Sequence, residues 1–511
     1  MSQIYLAEIS AYDPALPGLR TLRYCTGIGY TTGAADTPAH TYYEPRIQQP
    51  ANMQRSLASG AGTRGATRVG YGELVLVNLD GGLDPLVDYG FDGRAISIKL
   101  GTQRPWQAPV WTTVITGTMA RADFSWSQLT ISLRDRQAEL NAPLQTVTYA
   151  GNNVLPSGLE GVATDIKGKE KPRLYGYGWQ LSPVLVNTSR LIYQISDAAL
   201  QSVSAVYDRG ATLTAGSAYS SQADMETNAP SAGQYRAWLA GGMFRLGASP
   251  AGQITCDAIA GASSANRTAA QIAKQVLLDT GISSGDISSS DVTALDSATG
   301  AEIGYWLDSA ATSQQVLDAV LGSVGAWWGV DRLGKFRMAR FEAPSGTPVA
   351  TLTEVEIIKI DRIPGADIAI PVWQVTLSYQ PYATTQTNDL AGSVTDARRA
   401  ELAEPVRKVV AADSSIKTLH PLAETLEVET RIADATAAQT EANRLLALYK
   451  VRRDTLSVRV ALDADLAAAI DLGAVVSVAV PRYGYTGGRL MRVTSIRTDL
   501  RGGVLDLTLW G

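Results

Sequence analysis

The chain has 511 residues, 45% hydrophobic and 18% charged, with 44 basic residues against 49 acidic ones and a net charge of −5. This is a globular composition with room for three or four domains of about 150 residues each. Without a long run of one sign it excludes a polybasic face for non-specific nucleic-acid binding.

Strand signals fill the first third. Val69 to Leu79 reads as strand, its apolar run from Leu74 ending at the turn Asp80-Gly81-Gly82, and Asp92-Gly93 marks a second turn. Asn52 to Ser59 carries no strand pattern. Ile96, Ile98 and Leu100 alternate with Ser97 and Lys99, and Leu129, Ile131 and Leu133 alternate with Thr130 and Ser132, so each run has one buried face. A β-barrel or sandwich is expected over residues 1–150. Residues 151–262 keep a β-and-loop texture, opening with the charged stretch Asp165 to Arg173 and closing with small residues from Ala258 to Ala265.

The texture then turns helical. Thr268 and Gln271 are spaced as a capping box, with Ala269, Ile272, Ala273, Val276 and Leu277 on one stripe up to a stop at Gly281. Thr312 and Gln315 repeat the device ahead of Val316, Leu317, Val320, Leu321 and Val324. Strand, turn at Asp331 to Gly334, and strand follow, giving a small α+β domain over 263–345. In 346–511, Trp373, Val375, Leu377 and Tyr379 alternate with Gln374, Thr376 and Ser378. Asp434 caps a helix with the stripe Ala438, Ala442, Leu445, Leu446 and Tyr449, and Lys450, Arg452 and Arg453 follow where the helix dipole favours cations. Runs at 456–460, 476–480, 490–496 and 504–509 predict four strands of a compact β-barrel. The fold class expected is mainly β with a small α+β part, in several domains.

Few residues carry candidate chemistry. Only His40 and His420 exist, so a His-rich metal site is excluded, and each reads as a loop or surface imidazole. Cys25 and Cys256 are too few for a thiolate cluster or a disulfide framework and are expected to be reduced and buried. Gly60, Gly62 and Gly65 spell G-x-G-x-x-G but neither follow a strand nor open a helix, so they read as a flexible loop. The pairs Asp463 and Asp465, and Glu427 and Glu429, have the residue types for glycoside hydrolysis but read as solvated edge carboxylates. Trp306, Trp327 and Trp328 bracket an amphipathic helix and read as packing, with a sugar platform as the alternative. No catalytic, cofactor-binding or metal-binding residue is assigned, and no enzymatic activity is expected. The N-terminus lacks the basic and apolar regions of a secretion signal, and the apolar stretch Leu466 to Val480 is broken by Asp471, so a soluble chain without a membrane anchor is expected.

The C-terminal third resembles the end of tail-hub, or baseplate-hub, proteins of long-tailed bacteriophages. The carrying residues are the helix Ala435 to Lys450, the strand Arg453 to Val460, the Asp471-Leu-Gly-Ala-Val-Val-Ser-Val478 turn and strand, and the closing Val493 to Gly511. The helix from Thr312 with its Trp327 to Phe336 hairpin, and Val114 to Met119 leading to Leu129 to Asp135, agree with it; residues 150–262 contribute little. The resemblance implies two tube-like β domains per chain, at the two ends of the sequence, and a homotrimer that joins the hexameric tail tube to a threefold tip. It implies a distal-tail protein or tube ring above, a tip or central-fibre protein below, and a channel for DNA and the tape-measure protein. The location implied is the virion, after assembly in the bacterial host cytoplasm. Some hubs carry a hydrolase domain or an iron–sulfur cluster; this sequence has neither a recognisable insert nor the cysteines. The alternatives are a hexameric distal-tail ring protein and a receptor- or carbohydrate-binding tail-tip protein.

Overall fold

The structure, a computed structural model, describes residues 2–57, 68–103, 108–134, 136–363, 370–462 and 464–511. Gly60, Gly62, Gly65 and Asp463 lie outside the described residues. Strand accounts for 41% of the chain and helix for 18%, which makes it mainly β with several sheets and several domains.

Alternating apolar residues build the first sheet. Its nine strands run in the order Tyr30–Thr31, Tyr42–Pro45, Gly18–Cys25, Ser2–Asp13, Ala95–Gln103, Trp111–Phe124, Gln128–Arg134, Glu73–Val77 and Ile47–Gln49. Register sets Ile9 opposite Ile96, Ile98 opposite Ile115 and Ile131 opposite Leu74, and all six are fully buried. The predicted run to Leu79 is shorter than expected: the strand stops at Val77, Asn78 turns inward to receive the Leu83 N–H at 2.8 Å, and Leu79 is exposed.

The four predicted C-terminal strands are neighbours, in the order Val475–Ala479, Arg489–Asp499, Val504–Trp510 and Thr455–Ala461. They do not close on themselves. Thr351–Thr353 and Ile357–Ile363 extend the two ends, and a strand from the other end of the chain, Met53–Ser56, pairs with Arg489–Asp499, setting Ser56 opposite Ser495. The expectation of no strand in Asn52 to Ser59 is therefore corrected. Its alternation is hidden by a buried arginine, Arg55, which pairs with Asp471 at 2.6 Å. The chain crosses from one sheet to the other over residues 50–52, where the Asn52 side chain accepts the Leu500 N–H.

Three helices fill the space beside the sheets: Ala269–Asp279, Ser289–Ala298 and Ser313–Gly322. Both predicted stripes are buried, and Gly281 stops the first helix at φ +93°. Thr312 and Gln315 make the reciprocal capping box. Thr268 caps its helix through the Gln271 N–H, but the Gln271 side chain bonds Asp296 at 2.6 Å, tying the first helix to the second. The second helix was not expected; its Ser-Ser-Asp-Val-Thr opening favours caps and turns over helix interiors. Asp331 accepts the Leu333 and Lys335 N–H groups at 2.9 Å each, setting the predicted turn. One continuous apolar core joins the first sheet, these helices, the helix Ala435–Tyr449 and the C-terminal sheet.

Residues 173–260 supply nine of the ten strands of two five-stranded sheets around their own core of Leu174, Val206, Phe244 and Cys256. The strand Arg173–Leu181 also pairs with Gly304–Leu307 and so fastens this part to the helical part. Gly176, at φ +66°, sits where a Cβ would lie 1.9 Å from the Ile303 carbonyl oxygen, so only glycine permits that approach.

Candidate interaction surfaces

Those residues singled out for chemistry that the structure describes lie scattered over the fold. His40 is exposed in a loop and His420 is half-buried after a short helical turn, far apart in sequence and on different elements. Cys25 and Cys256 are free thiols, both buried. Burial raises the Cys256 thiol well above its ordinary range. Glu427 and Glu429 stand exposed on the strand Thr425–Glu429, which has only one neighbour in its three-stranded sheet. The tryptophans are not gathered into a platform. Trp306 donates to the Ile195 carbonyl at 2.9 Å, Trp328 is buried and donates to Asp318 at 2.7 Å, and Trp327 packs against Gly473.

Two half-buried acids were not anticipated. Burial raises the Asp257 carboxyl, against the bonds it accepts from the Gln180 N–H at 2.7 Å and the Tyr207 hydroxyl at 2.8 Å. Burial likewise raises Asp318, against its Trp328 bond. They lie on different elements, each held by its own donors. Among the described residues no three His, Cys, Asp or Glu side chains converge as a metal site, and no helix is long and apolar enough to cross a membrane.

What the arrangement does offer is surface. On the first sheet, the face turned away from the core carries Ser97, Thr116, Thr130 and Ser132, all half-buried. Two charge pairs stand on it, Lys99 with Glu8 at 3.3 Å and Arg121 with Asp123 at 2.8 Å, while the Nε of Arg23, opposite Glu8, is buried without a hydrogen-bond partner. The outward face of the C-terminal sheet repeats the scheme, with Ser457 opposite Thr508, Lys359 on Asp361 at 2.7 Å and Arg459 on Asp506 at 2.6 Å; Arg497 stands opposite the same Asp506. The alternation of small hydroxyl residues with paired charges puts both signs side by side.

One end of the first sheet is different. The turn after Asp13, the turn between Phe124 and Gln128, and the loop 78–94 gather there, held by Tyr12 to Gly90 and by the Asn78 N–H to the Ser127 carbonyl at 2.7 Å. They present Leu16, Leu79, Val87 and Trp126 to solvent, with Trp126 93% exposed.

No family model matches the chain, and no curated protein matches it. Solved structures do align along much of its length. The 43 kDa tail protein of prophage MuSo2 from Shewanella oneidensis is 12% identical, with a TM-score of 0.39 over 99% of this chain and 98% of that one. The tail protein from Neisseria meningitidis MC58 is 13% identical, with a TM-score of 0.42 over 92% and 93%. A chain of the virion of the native gene transfer agent particle is 16% identical, with a TM-score of 0.42 over 67% of this chain and 84% of that one. The structures similar to this chain are therefore phage tail and virion proteins.

Proposed function

We propose that the chain is a structural virion protein, the hub of a long-tailed phage's tail tip, working as a homotrimer that joins the hexameric tail tube to a threefold tip. The observation that carries this reading is the pair of sheets at the two ends of the sequence, fused through one core and each turning a hydroxyl-rich, charge-paired face outward. Two such faces per chain make six in a trimer, which matches a sixfold ring to a threefold tip. The chemistry of the faces suits a channel wall. An unpaired Lys or Arg holds a phosphate by releasing counterions, whereas a cation already on a carboxylate does not, so DNA passes without sticking. The apolar rim with Trp126 would mate with a ring above or below, and the paired strands need no catalytic group. In this reading the unit boundaries are 1–150, 151–262, 263–345 and 346–511, with Met53–Ser56 lent by the first unit to the last.

Electron microscopy of assembled tails tests it. Three copies at the axis between tube and tip, with Ser97 and Ser457 facing the lumen, are expected. Six copies per ring would make it a distal-tail ring protein, and a position on the outer surface with glycan binding would make it a receptor-binding protein; either overturns the hub.

A further inference from the structure

At one end of the C-terminal sheet, four arginines from three segments gather round two tyrosines. Arg362 ends the strand Ile357–Ile363, Arg453 precedes the strand Thr455–Ala461, and Arg482 and Arg489 flank the turn after Val475–Ala479. Arg362 and Arg482 lie 5.8 and 5.6 Å from the Tyr483 ring, and Arg489 lies 5.4 Å from Tyr485. Arg453 lies 5.2 Å from the ring of Trp510. Among the described residues the one carboxylate side chain in this group is Asp454, which pairs with Arg362 and accepts the Tyr485 hydroxyl at 2.5 Å.

Of the other three, Arg453 and Arg482 are less well answered than Arg489. Arg489 donates to the Gly511 main-chain oxygen at 2.9 Å. Arg453 has its Nε buried with no hydrogen-bond partner. Burial, followed by repulsion from Arg489, holds the Arg453 guanidinium below its ordinary pKa, which is the mark of a cation short of an anion. Arg482 is exposed beside the half-open ring of Tyr483.

We infer that this arginine–tyrosine cluster is a docking site for an acidic polypeptide segment of a neighbouring protein, whose carboxylates would bond Arg453, Arg482 and Arg489. Three features favour carboxylates on a peptide over a nucleic-acid backbone. All the cations are guanidiniums, whose planar forks match carboxylates two bonds at a time. They are gathered in a compact knot instead of strung out along a phosphate track. The protein as a whole carries a net charge of −5, which repels a long polyanion but tolerates a short one.

The test is a titration of the full chain with a fluorescent hexaglutamate peptide, with a hexanucleotide as the competing arm. Hexaglutamate should bind and weaken as salt rises, and R482E should weaken it at least tenfold with an unchanged melting temperature, because Arg482 is exposed. R453M, which keeps an apolar stem against Trp510, should weaken it as well. Failure of hexaglutamate to bind, equal binding by R482E, or tighter binding of the hexanucleotide would each overturn the assignment. None of these outcomes bears on copy number in the tail, so this site and the hub reading fail separately.

Discussion

Two carboxylates, one buried and one half-buried, carry unequal loads. Glu441 projects from the helix Ala435–Tyr449 and is 3% exposed, gripped by Arg340 and by both Nε and Nη2 of Arg444 at 2.9 and 2.6 Å. Removing it leaves two guanidiniums to share Glu342, 3.5 Å from Arg340 and 3.2 Å from Arg444, so E441A should cost about 3 kcal/mol in chemical denaturation. Asp318 is the opposite case. Its carboxyl is raised above the ordinary 3.8 by burial, so the native state holds its proton more tightly than the unfolded chain does. Stability therefore falls as pH climbs through the window from 3.8 to the raised value and stays lower above it. D318N keeps an acceptor for the Trp328 N–H and removes the charge, so it should melt at or above the wild type at neutral pH, with the gap closing as pH falls toward 4. D318L orphans that N–H and should cost about 1–3 kcal/mol. A D318N protein that melts well below wild type at pH 7 would contradict this. Neither acid was legible in the sequence. Glu441 falls on the very face read as an apolar stripe, and Arg444 one turn along the helix together with the distant Arg340 explain why a charge is tolerated there.

Elements with a strong period were legible, and those whose partners lie far away were not. The helix stripes at 269–277 and 316–324, the Thr312 cap and the alternation at 374–379 are local patterns, and the structure has all of them. Met53–Ser56 was missed because its burial pattern is set by Ser495, Thr498 and Asp471, more than 400 residues away. The last strand, Val504–Trp510, was placed correctly, but it is an interior strand with neighbours on both sides. Its loss opens two edges instead of one. Truncation after Gly503 should therefore aggregate on expression, checked by light scattering of the soluble fraction; a soluble truncation with unchanged melting would show that the sheet does not depend on it.

For the whole molecule, the apolar core sets what unfolds together. Because a single core spans both terminal sheets and the helices, while 173–260 keep their own, the chain should come apart in two cooperative units that are not contiguous in sequence. Hydrogen exchange under rising denaturant should show Glu73–Val77 and Val504–Trp510 opening together and Ile254–Ala260 opening independently. Separate opening of the first two would contradict the shared core. The overall class, mainly β with a helical insert, was readable because strand and helix periods alternate in long blocks. The fusion of the two ends was not, since no local pattern reports a contact between residues 53–56 and 495–498.

That fusion has a consequence for how the protein is made. Residues 53–56 leave the ribosome early, yet the strand they join is among the last to appear. At translation rates of about 5–20 residues per second, the wait is roughly 20–90 s. During that interval the segment has only its antiparallel neighbour Arg68–Tyr71 to pair with, and the long loop it must finally close makes its joining to Arg489–Asp499 a late step. The sheet that joins the two ends is therefore complete only once residues 489–510 have been read.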